Sequence, residues 1–331
     1  MGMNWLITGG AGFIGRNLVS SLLGEGGHAI RILDDLSVGD RDGLAEVCRF
    51  SECGPAALAG FPGPGEVQLV PANILDEHDT ASACGGADVV VHLAANTGVG
   101  PSVKNPRWDC KVNVLGTLNC LEGARQAGAR RFVFASSGAP AGDAPPPIRE
   151  DIVPRPMSPY GASKMAGEGY CCAYWKCFGV PSVSLRFSNV YGPLSSHKSS
   201  AVASFISAAR KGEPLDVFGD GLQTRDFLYV DDLVEAVKSS AVREDAAGET
   251  FQIATGEETT VNSLVAMLVE ALAAKGLPQA AVRHLGERQG DMRRNYSDTS
   301  KAQQMLHWRA KVGLKEGLAR TVDWFAARGG H

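Results

Sequence analysis

Tyr160 and Lys164 stand four residues apart in SPYGASKMAGEG, a spacing that sets both side chains on one face of a helix. A tyrosine of ordinary pKa, ~10, is a poor base at neutral pH. An ammonium beside it favours the phenolate and turns the ring oxygen into a proton acceptor. Taken alone, such a pair on a helix is usually a solvated face. Upstream, ASSGAPAGD carries Ser137 out of the apolar run RRFVF and into Gly138, Ala139 and Pro140. That hydroxyl has three readings: a turn cap, a nucleophile, or a relay that moves a proton for a partner elsewhere in the chain.

A second cluster supplies the context. TGGAGFIG places Gly9, Gly12 and Gly15 between the strand-like NWLIT and the helical pattern NLVSSLLGEG. Glycine permits a tight turn and close backbone approach, and a helix N-terminus offers N–H groups to a pyrophosphate. The next strand, HAIRILDD, reaches Asp34 about 20 residues on, where a ribose-binding acid is expected. Its carboxylate would accept both ribose hydroxyls and repel a 2′-phosphate, which favours NAD over NADP. A positive nicotinamide ring would join Lys164 in favouring the Tyr160 phenolate. Glycines that only shape a turn, and an acid that only ends a strand, are the plain alternatives.

The elements that must hold these residues follow a regular order. VQLVPAN, ADVVVHLAA, RRFVFASS and VPSVSLRF read as further buried strands with helices between them, and GPAALAGFPGPG (54–65) as a surface excursion. The order strand, Gly-rich turn, helix, strand predicts an α/β protein, a Rossmann doubly wound parallel sheet with a smaller, mixed C-terminal substrate-binding domain. After about residue 190 the pattern loosens; YVDDLVEAVKSSAV, VNSLVAMLVEALAAKG and KEGLARTVDWFAARG read as helices and TFQIA as a strand. The expected division is 1–189 plus about 225–257 for the dinucleotide, and about 190–224 plus 258–331 for the substrate.

A chain of 331 residues accommodates this plan, with 44% apolar and 21% charged residues as in ordinary soluble domains. A net charge of −4 gives no basic surface for nucleic acid. The eight cysteines lack zinc spacing, so no metal site and a reducing compartment are expected. No run approaches the ~20 apolar residues of a membrane span. The start runs directly into a strand, without the features of a signal peptide. A soluble, cytoplasmic protein is the expectation.

With these residues in view, the chain resembles the extended short-chain dehydrogenases/reductases, in particular the nucleotide-sugar epimerase/dehydratase group, and within it UDP-glucose 4-epimerase-like proteins. TGGAGFIG, VVHLAA, NVLGT, the serine-bearing strand end, YGASK, RFSNVYGP, RDFLYVDD and GERQGD occur in the group's order over nearly the whole chain. The resemblance implies tightly bound NAD, with Phe13, Ile14, Asn73, Ile74, Leu93, Ala94, Ala95 and Asn113 joining the glycines, Asp34, Tyr160 and Lys164 around it. Asn113 equally reads as a plain helix-face asparagine. The resemblance makes Ser137 the partner of the sugar hydroxyl being oxidised, Tyr160 its proton acceptor, and Lys164 the holder of the nicotinamide ribose. It also implies that Asn189, Arg225 and Arg288 meet the diphosphate of a UDP-sugar and that Asp291 binds the nucleotide ribose.

Three reactions share this machinery. Dehydratases of the group carry an Asp-Glu pair directly after the serine or threonine; here those positions are Gly138 and Ala139, which transfer no protons. The decarboxylating relatives also need an acid that is absent. The expectation is therefore C4 epimerisation of a UDP-sugar through a transient 4-keto intermediate, with UDP-glucuronate 4-epimerase or a nucleotide-4-keto-sugar reductase as alternatives. Pro140, Ala141 and Gly142 stand where the group commonly has Val-Tyr-Gly, which should widen or reshape the sugar end. Asn295 occupies a gate position that is bulky in glucose/galactose-restricted relatives, so an N-acetylated sugar is admitted on this reading. A uronate is less favoured because GPLSSHK lacks an arginine, with Lys198 as the one substitute. A homodimer through a helix bundle is a family expectation; the apolar positions around Leu115, Leu118 and Leu121, with those near Ala166 and Tyr170, form that bundle or are simply core.

Overall fold

The computed structural model describes residues 2–196, 200–277, 280–286 and 292–328. Seven strands come first: β1 (Asn4–Thr8), β2 (Ala29–Asp34), β3 (Ser51–Glu52), β4 (Val67–Pro71), β5 (Val89–His92), β6 (Arg131–Ser137) and β7 (Ser182–Phe187). They alternate with helices α1 (Phe13–Glu25), α2 (Arg41–Ala45), α3 (Glu77–Cys84), α4 (Val99–Lys104), α5 (Pro106–Cys110), α6 (Gly116–Ala127) and α7 (Pro159–Phe178). The C-terminal part adds β8 (Asn189–Tyr191), α8 (Ala201–Arg210), β9 (Leu215–Phe218), β10 (Thr224–Arg225), β11 (Phe227–Tyr229) and α9 (Val230–Val242). Then follow β12 (Thr250–Ile253), β13 (Thr259–Thr260), α10 (Val261–Ala273), β14 (Val282–Leu285), α11 (Ser300–Met305) and α12 (Leu314–Ala327).

Eight strands form one sheet in the order β12-β7-β6-β5-β1-β2-β4-β3, and every neighbouring pair is parallel. Such a sheet must be covered on both faces, so its central strands are buried along their length rather than at alternate positions. β2 (AIRILD) and β7 (SVSLRF) are buried at every position. Leu18, Val19 and Leu22 of α1 and Leu233, Val234 and Val237 of α9 cover one face, and Trp308 packs with them. Cys84 of α3, Cys120, Leu121 and Ala124 of α6, and Cys171 and Tyr174 of α7 cover the other. A third core, built from Phe205, Leu215, Leu264, Leu268, Leu318 and Phe325 among others, holds the C-terminal helices together.

The strand order reverses between β1 and β5, and the ends of those two strands face a common crevice, the place where ligands bind in open parallel sheets. The helix that must bring chemistry there is firmly bounded. Ser158 caps α7 by accepting the Gly161 N–H, Pro159 opens its first turn, and Gly179 closes it in the left-handed conformation at φ 70°. Tyr160 and Lys164 therefore sit in the first two turns of a 20-residue helix.

Candidate active site

The dinucleotide cradle is a set of close backbone approaches. Gly9 has φ +69°, and a Cβ there would lie 2.7 Å from the Ala94 nitrogen and 3.0 Å from the Leu93 carbonyl carbon. Gly15 lies against the Gly10 backbone, where a Cβ would come within 2.5 Å. Gly12, with no side chain to cap it, leads into α1, so Phe13 and Ile14 form the opening turn of that helix. First-turn N–H groups of a helix have no intrahelical acceptor and favour an anion. Asp34, buried at the end of β2, accepts the Ala11 and Leu36 N–H groups, both at 2.9 Å. Burial pushes its carboxyl above the ordinary value, and the two backbone donors oppose that rise. Asn73 donates to Asp35 at 2.9 Å and accepts the Leu75 N–H. Ile74 is buried, with its carbonyl taken by Asn119. Leu93, Ala94 and Ala95 follow β5 outside any strand. The cradle fits a dinucleotide: side chains are excluded where the pyrophosphate would approach, and an acid waits at the ribose distance along the chain.

Ser137 ends β6, and its Oγ accepts the Ala139 N–H at 3.2 Å. Tyr160 shares a hydrogen bond with Ser137, which favours its phenolate. Lys164 is almost fully buried; its Nζ donates to the Ala135 carbonyl at 2.8 Å and lies 5.9 Å from the Tyr160 ring centre. Burial dominates both titrations, holding Tyr160 up at about 12 and Lys164 down at about 8. Within the chain itself, desolvation of the phenolate is the largest influence on Tyr160, and the Ser137 hydrogen bond opposes it.

Asn113 is not a plain helix-face residue. It is buried in a π-helical turn, Lys111–Leu115, a local irregularity frequent at functional sites. Its Oδ1 accepts the Asn96 N–H at 2.8 Å, and its Nδ2 reaches Asp109, the Asn96 carbonyl and Ser163. Ser163 in turn donates to the Tyr160 carbonyl. The side chain thus ties the loop after β5 to the first turn of α7. Sequence reasoning passed over Asp109, Asn96, Ser163 and His92. A histidine inside VVVH, where every neighbour is apolar, was the one available signal. His92 accepts from Thr8 at 2.7 Å and meets Thr117 at 3.0 Å, joining the end of β1 to α6.

The structure brings Asn189 and Arg225 together: Asn189 pairs in register with Phe227, and its N–H and Nδ2 both donate to the Asp226 carbonyl. Arg225 Nη1 donates to the Thr224 and Met292 carbonyls, each at 2.7 Å. Asn295 is half-buried. Its neighbour Tyr296 accepts the Ile148 N–H, and Ile148 accepts the Asp298 N–H, so this segment is laid alongside the chain leaving the Ser137 turn. Arg288, Asp291 and Lys198 lie outside the described residues. Pro140 and Ala141 are buried in a short 3-10 turn, and a Cβ on Gly161 would lie 2.7 Å from the Ala139 carbonyl. The turn that carries the departure from Val-Tyr-Gly lies against the start of α7. Of the expected dimer positions, Leu121 is core and Leu118 packs against it, while Leu115 and Tyr170 stay exposed beside Met165 and Phe178.

Fold and site together define an NAD-dependent enzyme. The chain belongs to the NAD dependent epimerase/dehydratase family, whose model matches residues 5–254. It is 37% identical to UDP-glucose 4-epimerase of Mycolicibacterium smegmatis over 329 residues, covering 98% of each chain. Among solved structures it is similar to UDP-glucose 4-epimerase of Thermotoga maritima with UDP-glucose, at 34% identity and TM-score 0.87, covering 98% of this chain and 99% of that one. It also resembles UDP-N-acetylglucosamine 4-epimerase of Methanobrevibacter ruminantium, at 28% identity and TM-score 0.86, covering 98% and 99%. No helix among the described residues is long and apolar enough to cross a membrane.

Proposed function

We propose that the protein inverts C4 of a UDP-sugar through a transient 4-keto intermediate, with UDP-glucose/galactose or the N-acetylated pair as substrate. The glycine turn and Asp34 would hold NAD, which would supply the hydride acceptor for C4 and the donor for return to the opposite face of the sugar. Ser137 hydrogen-bonds the C4 hydroxyl, and Tyr160 takes its proton and later gives it back. Lys164 holds the nicotinamide ribose and supplies positive charge beside the phenolate. Asn189 and Arg225, with Arg288 and Asp291, grip the nucleoside diphosphate; an arginine fork suits phosphate oxygens. Residues 1–189 with about 225–257 make the cofactor domain, and the rest grips the substrate.

The observation that carries the reading is the turn after Ser137. Gly138, Ala139 and Pro140 follow the catalytic hydroxyl and are packed into a short helical turn, so no carboxyl stands there to remove a C5 proton or protonate a C6 leaving group. Oxidation and return at C4 need only Ser137, Tyr160, Lys164 and a retained dinucleotide. The exposed Leu115 in the turn before α6, and Met165, Tyr170 and Phe178 on α7, support a homodimer through this face, and eight unpaired cysteines support a reducing, cytoplasmic setting.

The test incubates purified protein with UDP-glucose, UDP-N-acetylglucosamine and UDP-glucuronate and reads C4 configuration by NMR. Inversion of one of the first two without added reductant is expected, and Tyr160→Phe abolishes it while NAD stays bound. A fully active Tyr160→Phe variant overturns the proton-transfer assignment, and turnover that requires added NAD(P)H identifies a reductase instead.

A further inference from the structure

Asp109 has no place in the scheme above, yet its environment is unusual. It lies at the end of α5 with no solvent exposure. One carboxylate oxygen accepts from Asn96 Nδ2 at 3.1 Å and Asn113 Nδ2 at 3.0 Å; the other is buried with no hydrogen-bond partner. A buried carboxylate left this way is costly unless a positive charge compensates it. Lys164 is the complementary case, a buried ammonium with three donors whose hydrogen-bond acceptor among the described residues is the Ala135 carbonyl.

The groups that face Lys164 can be taken element by element. On α7 itself are Tyr160, Glu168 and Cys171. Both Glu168 oxygens are engaged by Arg186, at 2.9 and 2.8 Å, and one also accepts from Ser136, so that carboxylate is neutralised in place. Burial holds Cys171 as a thiol, near 12. From β6 come the Phe134 ring at 4.9 Å and the Ala135 carbonyl. From β5 comes His92, which burial holds neutral, near 3. From α5 comes Asp109, the largest influence opposing the loss of the lysine's proton. Among the described residues it is the carboxylate facing Lys164 without an arginine of its own.

We propose that Asp109 is a positioning residue for the C4 chemistry: the buried counter-charge that holds Lys164 as an ammonium and, through Asn113 and Ser163, seats the turn that carries Tyr160. The inference rests on the proton-transfer roles assigned above. A negative charge buried between α5 and α7 acts on both groups with the same sign. It favours the protonated lysine, and it disfavours the phenolate of Tyr160. Removing that charge while keeping the shape therefore lowers both titrations together, and the pH–rate profile moves as a whole instead of losing height evenly.

The experiment measures kcat and KM for C4 inversion against pH in the NAD-loaded wild type, Asp109→Asn, Asp109→Ser and Asp109→Glu. In the Asn and Ser variants both limbs of the kcat profile shift to lower pH by about one unit, with KM unchanged, and Asp109→Glu restores the wild-type position. The Tyr160 phenolate absorbance, taken as the difference from Tyr160→Phe in each background, shifts in the same direction. Profiles that superimpose on wild type, or a loss equal at every pH, overturn the proposal, and the Ser variant decides if the Asn variant does not fold. Tyr160→Phe and Lys164→Met separate the two levels. If either keeps full turnover, the parent reading fails; if both are inactive while Asp109→Asn keeps the wild-type profile, only the counter-charge fails.

Discussion

His92 shows how much of this site is held by groups that never touch a substrate. Thr117 Oγ donates to the Asn113 carbonyl and Thr8 Oγ accepts the Ala94 N–H. The ring must therefore accept at Nδ1 from Thr8 and donate at Nε2 to Thr117, which assigns the tautomer from the network. One directed chain thus runs from the cofactor loop through β1 and β5 to the turn that carries Asn113. Burial keeps His92 neutral down to about 3, whereas the unfolded chain protonates it near ~6.5. Between those values the unfolded state binds the extra proton, so stability falls as pH drops, by up to ~1.4 kcal/mol per unit from this group. His92→Gln keeps a donor and an acceptor without titrating, and its urea midpoint is expected to decline less between pH 6.5 and 4. Equal declines in the two proteins would contradict the assignment.

At the scale of elements, α7 does two jobs with one stripe of residues. Tyr160 and Lys164 face the crevice, and one turn on Glu168 pins the helix to the strands behind it. Its bidentate pair with Arg186 on β7 and its bond to Ser136 on β6 link three elements of the sheet's catalytic half. Breaking a buried pair strands the remaining charge, so Glu168→Ala is expected to cost about 3–5 kcal/mol. The double variant Glu168→Leu/Arg186→Met recovers most of that loss. Chemical denaturation measures both, and a Glu168→Ala loss below about 1 kcal/mol would mean that the pair holds nothing.

For the whole molecule, the turn before α6 and the end of α7 leave Leu115 and Phe178 exposed at 50% and 57%, among other exposed apolar side chains such as Val38, Val153 and Leu222. Leu115→Glu is expected to convert a dimer to a monomer in sedimentation velocity at micromolar concentration; an unchanged sedimentation coefficient contradicts the assignment of this face. The strands, the glycine turn and the Tyr/Lys helix were legible because each has a local cause: apolar runs for a covered parallel sheet, glycine where backbones meet, and a four-residue helical spacing. β3 and α2 were not, since two and five residues carry no periodicity. Arg31 was hidden in AIRILD. Its guanidinium sits 4.4 Å from the Phe61 ring centre and bonds the Gly60, Ala83 and Gly85 carbonyls, anchoring the 54–65 excursion. Asp109 was hidden for another reason: its meaning lies in contacts across three segments, and no spacing along the chain reports them. The sequence shows the lysine four residues from Tyr160 but not the burial that raises the tyrosine's titration.

The central claim is that hydride leaves C4 and returns to C4 within one site. UDP-glucose and UDP-N-acetylglucosamine labelled with deuterium at C4 test it most directly, with purified protein, no added dinucleotide and NMR detection of the product. A C4-inverted sugar that retains deuterium at C4 is expected from one of the two. Deuterium lost to solvent, a 4-keto-6-deoxy product, or turnover only with added reductant would contradict it.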